Sequence, residues 1–150
     1  MIATSTGYDL VFLVHILAAV TTLIVLIAMR FSALSVVHGA DATIQRARFP
    51  TRRNYAARVL HLLPITGFTM SLSGDSSVSL TKPWIGVGIV CYLAAAGHLE
   101  ARTLPLERVV SEVIDHDGVA SPERGRTLVR SVDVLLGLVA VAFVAMLVQF

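Results

Sequence analysis

Residues 10–29 read LVFLVHILAAVTTLIVLIAM, an apolar run interrupted only by His15, Thr21 and Thr22. A helix that crosses a bilayer needs roughly 20 such residues, so this stretch alone moves the chain out of the soluble class. With its flanks it predicts a first span over about residues 8–30. Three further stretches follow. Residues 55–72 carry Arg58, His61 and Pro64, residues 84–101 carry Gly86, Gly88 and Gly97, and residues 128–150 are apolar beyond Asp133. Glycine and proline are common in membrane helices and do not count against these spans.

Bulk composition agrees. The chain has 150 residues, enough for one domain, with 55% hydrophobic and 15% charged residues; its mean hydropathy is +0.77. Soluble domains carry roughly 25% charged residues. The sequence pI of about 9.1 reflects a net charge of only +2, and no Lys/Arg patch interleaved with aromatics points to nucleic acid. Cys91 is the single cysteine, which excludes an intrachain disulfide and a paired-thiol zinc motif.

The basic residues predict orientation. Arg30, Arg46, Arg48, Arg52, Arg53 and Arg58 surround the first connection, and Arg102, Arg108, Arg124, Arg126 and Arg130 surround the third. Of the 12 Lys and Arg residues, only Lys82 falls on the other side. By the positive-inside rule both termini lie outside and the two basic connections in the cytoplasm. The expected fold is therefore an all-α membrane protein, a single domain of four transmembrane helices in an antiparallel up-down bundle, in the cell membrane of a bacterium. The N-terminus lacks a positive n-region and its apolar run exceeds the usual 7–15 residues, so the first span reads as a retained helix. Within the third connection, ERVVSEVIDHDG has apolar residues at helical spacing and predicts a short interfacial helix ended by Gly118 and Pro122. Arg46, Arg48, Arg52 and Arg53 are expected at anionic lipid headgroups.

His15, His61 and His98 sit in three different spans. A titratable side chain in hydrocarbon costs a few kcal/mol and usually faces the protein interior. At helical spacing His15 shares a face with Ala18, Ala19 and Thr22; His61 with Asn54 and Arg58; His98 with Cys91, Ala94, Ala95 and Arg102; and Asp133 with Arg126, Arg130, Gly137 and Ala140. Small neighbours let helices approach, so these stripes are expected to face inward. Arg130, three residues before Asp133, is the expected partner of that acid.

Several chemistries fit these residues. They can serve as interhelical hydrogen bonds, with arginines snorkelling to water, in an accessory or scaffold subunit that contacts a membrane-protein partner or a second copy. His15 with His61, or in the alternative His61 with His98, can instead supply two axial imidazoles to a b-type haem, with His98, Arg58 and Arg102 as further cofactor-binding residues and the arginines pairing with propionates. No CxxCH occurs, which excludes covalent attachment. A copper- or proton-linked transporter is a third reading, served poorly by dispersed methionines. None of these patterns fixes a catalytic activity.

YDLVFLVHILAAV at 8–20, the basic connection, and RVLHLLPITG at 58–67 together resemble small four-helix bacterial membrane proteins related to the copper-resistance D and HemJ-type families. The resemblance covers mainly the first half. It implies a first-helix histidine, matched by His15, and later ones matched by His61 and His98. It also implies a link to haem, through protoporphyrinogen oxidation in the HemJ type, or to copper. Those families follow the first histidine with a Trp-Val-Gly-Gly-like stretch, where this chain reads VTTLIVLI. Topology and a haem or metal link carry over; the oxidase reaction does not.

Overall fold

The computed structural model describes residues 2–50, 54, 56–72 and 82–148, with side chains described from residue 7 onward. Arg52, Arg53, Tyr55, most of the Ser-rich second connection and the last two residues lie outside the described residues. What is described is helical, with no strand. Helix α1 runs from Ile2 to Val37, longer than the expected first span at both ends. It stops where Gly39 turns to φ +67°, and the amides of Gly39 and Ala40 bond back to the carbonyls of Val36 and Ser35. That is a Schellman cap, which needs a left-handed residue that glycine adopts without penalty. Two residues later the Asp41 carboxylate accepts from the Ile44 amide at 2.9 Å and starts a seven-residue helix, α2 (Ala42–Arg48).

The second apolar stretch begins as a tight 3₁₀ segment, Ala56–His61, and widens into α3 (Leu62–Leu72). Pro64 lies just after the change from 3₁₀ to α geometry and offers no N–H to the carbonyls one turn earlier.

The third stretch departs from expectation. It does not end near residue 101. Helix α4 (Pro83–His98) passes through a π turn at Leu99–Thr103 into α5 (Leu104–Asp117) without a break. The expected interfacial helix is thus the continuation of α4 through the π turn. It closes at Gly118, φ +86°, as the sequence reading places it. Pro105 gives a physical reason for the π turn. It has no amide to offer Ala101, four residues earlier, and its ring presses on that carbonyl. Widening the turn lets the Leu104 amide bond to Leu99 instead. Helix α6 (Pro122–Val148) completes the described chain.

Three of these helices are long and apolar enough to cross a membrane: Gly7–Val37, Pro83–Asp117 and Pro122–Val148. The described part of the second apolar stretch is too short to join them on that measure. Helix α1 packs on α3 and α6, and α6 packs on α4. Their shared core includes Leu26, Ala33, Val36, Leu60, Ala95, Leu99, Leu128, Val132 and Leu135. Large apolar side chains cover the outside, among them Leu10, Ile24, Ile65, Val90, Leu93 and Leu147, each more than half exposed. A monomer in water rarely presents apolar patches on this scale, whereas lipid covers them without cost.

Candidate functional site: polar ties between the helices

The stripe through His15 faces inward as expected. His15, Ala18 and Thr22 are buried. His15 Nδ1 lies 2.7 Å from Thr66 Oγ1 on α3, and the Thr66 hydroxyl lies 2.8 Å from the Leu62 carbonyl. A carbonyl can only accept. With the Thr66 proton spent on Leu62, His15 Nδ1–H is the donor to Thr66. The contact is close enough that a Cβ placed on Gly67 would stand 3.6 Å from His15 Cε1, so α1 and α3 meet directly at this level.

His61 ends the 3₁₀ segment and turns to α4. Its Nε2 is 3.3 Å from Glu100 Oε1 and its Nδ1 is 3.1 Å from the Tyr92 hydroxyl, with the two rings edge to face. A carboxylate accepts, so Nε2–H donates to Glu100, and in a neutral ring Nδ1 then accepts from Tyr92. Arg58, one turn earlier, donates Nε and Nη2 to the two Glu100 oxygens at 2.8 and 2.9 Å. Planar guanidinium against planar carboxylate is the geometry such a fork favours.

His98 turns to α6. Its Nε2 is 3.1 Å from the Ser131 carbonyl and 3.0 Å from Ser131 Oγ, and Thr103 Oγ1 reaches the same hydroxyl at 2.8 Å. His98 and Thr103 are five residues apart. In an α-helix that spacing turns them about 140° from one another; the i→i+5 turn brings them back to one face. The π turn therefore lets both side chains converge on Ser131.

The fourth tie joins α1 to α6. Arg30 Nε is 2.6 Å from Asp133 Oδ1. Arg30, not Arg130, is the ion-pair partner of this acid, because α1 lies alongside Asp133 across the helix interface. The expected inward stripe of α6 is also overturned. Arg126, Arg130, Asp133, Gly137 and Ala140 are all exposed, while Gly125, Leu128, Ser131, Val132, Leu135 and Val139 form the buried face. Long arginines reach water from an outward position, and Ser131 can be buried because His98 and Thr103 satisfy it. Arg102, expected near a cofactor, is exposed as well.

The histidines do not converge on one another. His15 is directed at Thr66, His61 at Glu100 and Tyr92, His98 at Ser131, so each ring spends a nitrogen on a neighbouring helix. Among the described residues no group of three or more His, Cys, Asp or Glu side chains could hold a metal ion, and no buried side-chain nitrogen or oxygen lacks a hydrogen-bond partner. The sequence reading missed Thr66, Tyr92, Glu100, Thr103 and Ser131. Glu100 was the most findable, as an acid at the end of an apolar run carrying no other.

A second polar cluster lies below these ties. Gln45 on α2 is fully buried; its Nε2 donates to the Ala40 carbonyl at 2.8 Å and its Oε1 accepts from the Ala120 amide at 3.0 Å. Ser111 on α5 donates to the carbonyl of Phe49 at 3.3 Å. Asn54 Nδ2 donates to Glu107 at 2.9 Å. These bonds pin the first connection onto α5 and the turn before α6. In comparisons with known proteins, the chain matches no family model, no curated protein and no solved structure.

Proposed function

We propose that this chain is a four-span protein of the cell membrane whose intramembrane histidines and charged residues tie helix to helix, and that it acts as a non-catalytic accessory or scaffold subunit. The observation that carries this reading is the pairing itself: α1 with α3, the 3₁₀ segment with α4, α4 with α6, and α6 with α1 are each joined by a polar contact. In hydrocarbon the histidine contacts replace unsatisfied groups and are each worth about 0.6–2 kcal/mol; the partly exposed arginine pairs are worth about 0–1 kcal/mol.

The short second segment supports a fourth crossing once its geometry is counted. A 3₁₀ residue rises about 2.0 Å and an α residue 1.5 Å. Ala56–His61 followed by Leu62–Leu72 then reaches about 28 Å, against a hydrocarbon core of about 30 Å. The arginine ties supply the orientation. Arg30 with Asp133 and Arg58 with Glu100 lie toward the ends of the spans that enter the basic connections, which favours those connections inside and both termini outside. Reporter fusions at the two termini should give the same extracytoplasmic signal; a cytoplasmic reading at either end overturns the topology.

The role of the histidines has its own test. Ties on separate helix pairs predict that His15→Ala and His61→Ala each lower stability in detergent by about 1 kcal/mol and add within about 0.5 kcal/mol in the double variant. Ligands of one haem iron would instead be strongly non-additive, because losing either already empties the site. The purified wild type should lack a Soret band. A reducible b-type spectrum that either substitution removes would overturn the tie reading in favour of haem.

A further inference from the structure

The outward face of α1 carries Val20, Ile24, Ile27 and Phe31, all exposed. Their spacing of four, three and four residues places them on one strip along the helix. Two arginines stand near its lower end, one the chain neighbour of Phe31 and one bonded to the Phe31 carbonyl. Arg30 is held through Nε by Asp133, with its side chain still 39% exposed. Arg48, from α2, donates Nη1 to the Phe31 carbonyl at 3.1 Å, within one residue of Arg30 in the chain. Exposed Ile44 is one turn before Arg48 on the same side of α2, while buried Gln45 and Phe49 hold the other side of the helix in place. We propose that this strip, together with Arg30 and Arg48, binds an anionic glycerophospholipid of the inner leaflet, with an acyl chain along Val20–Phe31 and the phosphate against the two arginines.

Depth and charge both support this occupant. Arg30 lies 22 residues beyond Tyr8, where the expected first span begins, about 33 Å along the helix, against a hydrocarbon core of about 30 Å. That puts the guanidinium groups at headgroup level if α1 spans as proposed, and the inference rests on that span, not on the role of the histidines. Arginine forks suit phosphate oxygens. The two arginines outweigh Asp133, leaving the local charge positive, so a headgroup with net negative charge is preferred to a zwitterionic one. The site adds Arg30 and the α1 strip to the lipid contact expected of the first connection.

The test uses the full chain in nanodiscs of equimolar phosphatidylglycerol and phosphatidylcholine, released into detergent, with retained lipid identified by native mass spectrometry. Wild type should retain phosphatidylglycerol in preference. Arg48→Gln should reduce that preference about fivefold, as loss of one lipid-facing arginine predicts. Arg48→Lys should keep most of it, and Arg124→Gln, on the exposed start of α6, should leave it unchanged. Equal retention by wild type and Arg48→Gln overturns the site, as does an equal loss in Arg124→Gln. A chain absent from the nanodisc fraction overturns the proposed span itself, which keeps the two failures distinct.

Discussion

Replacing Gln45 by leucine should lower the unfolding free energy by about 2–4 kcal/mol, although the side chains are similar in size. Gln45 is 1% exposed, and its amide satisfies a carbonyl on one side and a buried backbone amide on the other. Leucine would leave the buried Ala120 N–H and the part-buried Ala40 carbonyl without those partners, and a buried orphan costs about 1–3 kcal/mol. Added apolar burial offsets part of this, which is why the sum falls below the upper bound. Gln45→Glu separates the two bonds. At low pH the protonated carboxyl of Gln45→Glu accepts from Ala120 and can donate its O–H to Ala40, so the loss should be smaller than leucine's; at neutral pH the carboxylate accepts from Ala120 but cannot donate to Ala40, and burying its charge adds to the loss. Thr43→Ala, on the exposed side of α2, should change little. Unfolding in mixed detergent measures all three, and amide exchange at Ala120 should accelerate in Gln45→Leu. If Gln45→Leu were as stable as wild type, with Ala120 still protected, the clamp would carry no weight.

Membrane length was legible where long apolar runs occur, about twenty residues in α1 and fifteen beyond Asp133 in α6, because hydrocarbon thickness sets that requirement directly. The inward face of α1 was legible too, since His15, Ala18 and Thr22 combine a polar group with small neighbours. On α6 the same rule picked the wrong side. Arg126, Arg130 and Asp133 are polar but long or charged, and the interface with water accommodates them outside. Ser131 is short, and its burial depends on His98 and Thr103, which only a folded arrangement brings to it. The ion pair of Asp133 shows a related gap: sequence proximity favours Arg130, while packing of α1 on α6 supplies Arg30 from more than a hundred residues away. Helix α2 has seven residues, too few for periodicity to register, yet Gly39 and Asp41 mark the stop before it and its cap. The continuous helix through residue 117 was hidden because its lower half is amphipathic instead of apolar. Pro105 carried the trace of the π turn.

Gly125→Ala should destabilise the protein, against the usual sign of that change in a helix. Alanine gains up to about 1 kcal/mol of helix propensity over glycine. At Gly125, however, a Cβ would stand 2.9 Å from the Val37 backbone nitrogen and 3.0 Å from both Val36 Cβ and Val37 Cγ2. A flexible side-chain tip could yield, but a backbone atom at the end of α1 cannot move without shifting the helix and the Schellman turn behind it. Overpacking of this kind costs about 1–3 kcal/mol, so the steric term exceeds the propensity term and the net loss should be near 1–2 kcal/mol. Gly125→Val should lose more, because two further methyl groups enter the same gap. Gly137→Ala is the control. Nothing lies within 4 Å of a Cβ at that position, so only propensity operates and stability should hold or rise slightly. Thermal unfolding in detergent should rank Gly137→Ala at or above wild type, then Gly125→Ala, then Gly125→Val. A Gly125→Ala protein as stable as wild type would mean that α1 and α6 do not approach this closely at Gly125.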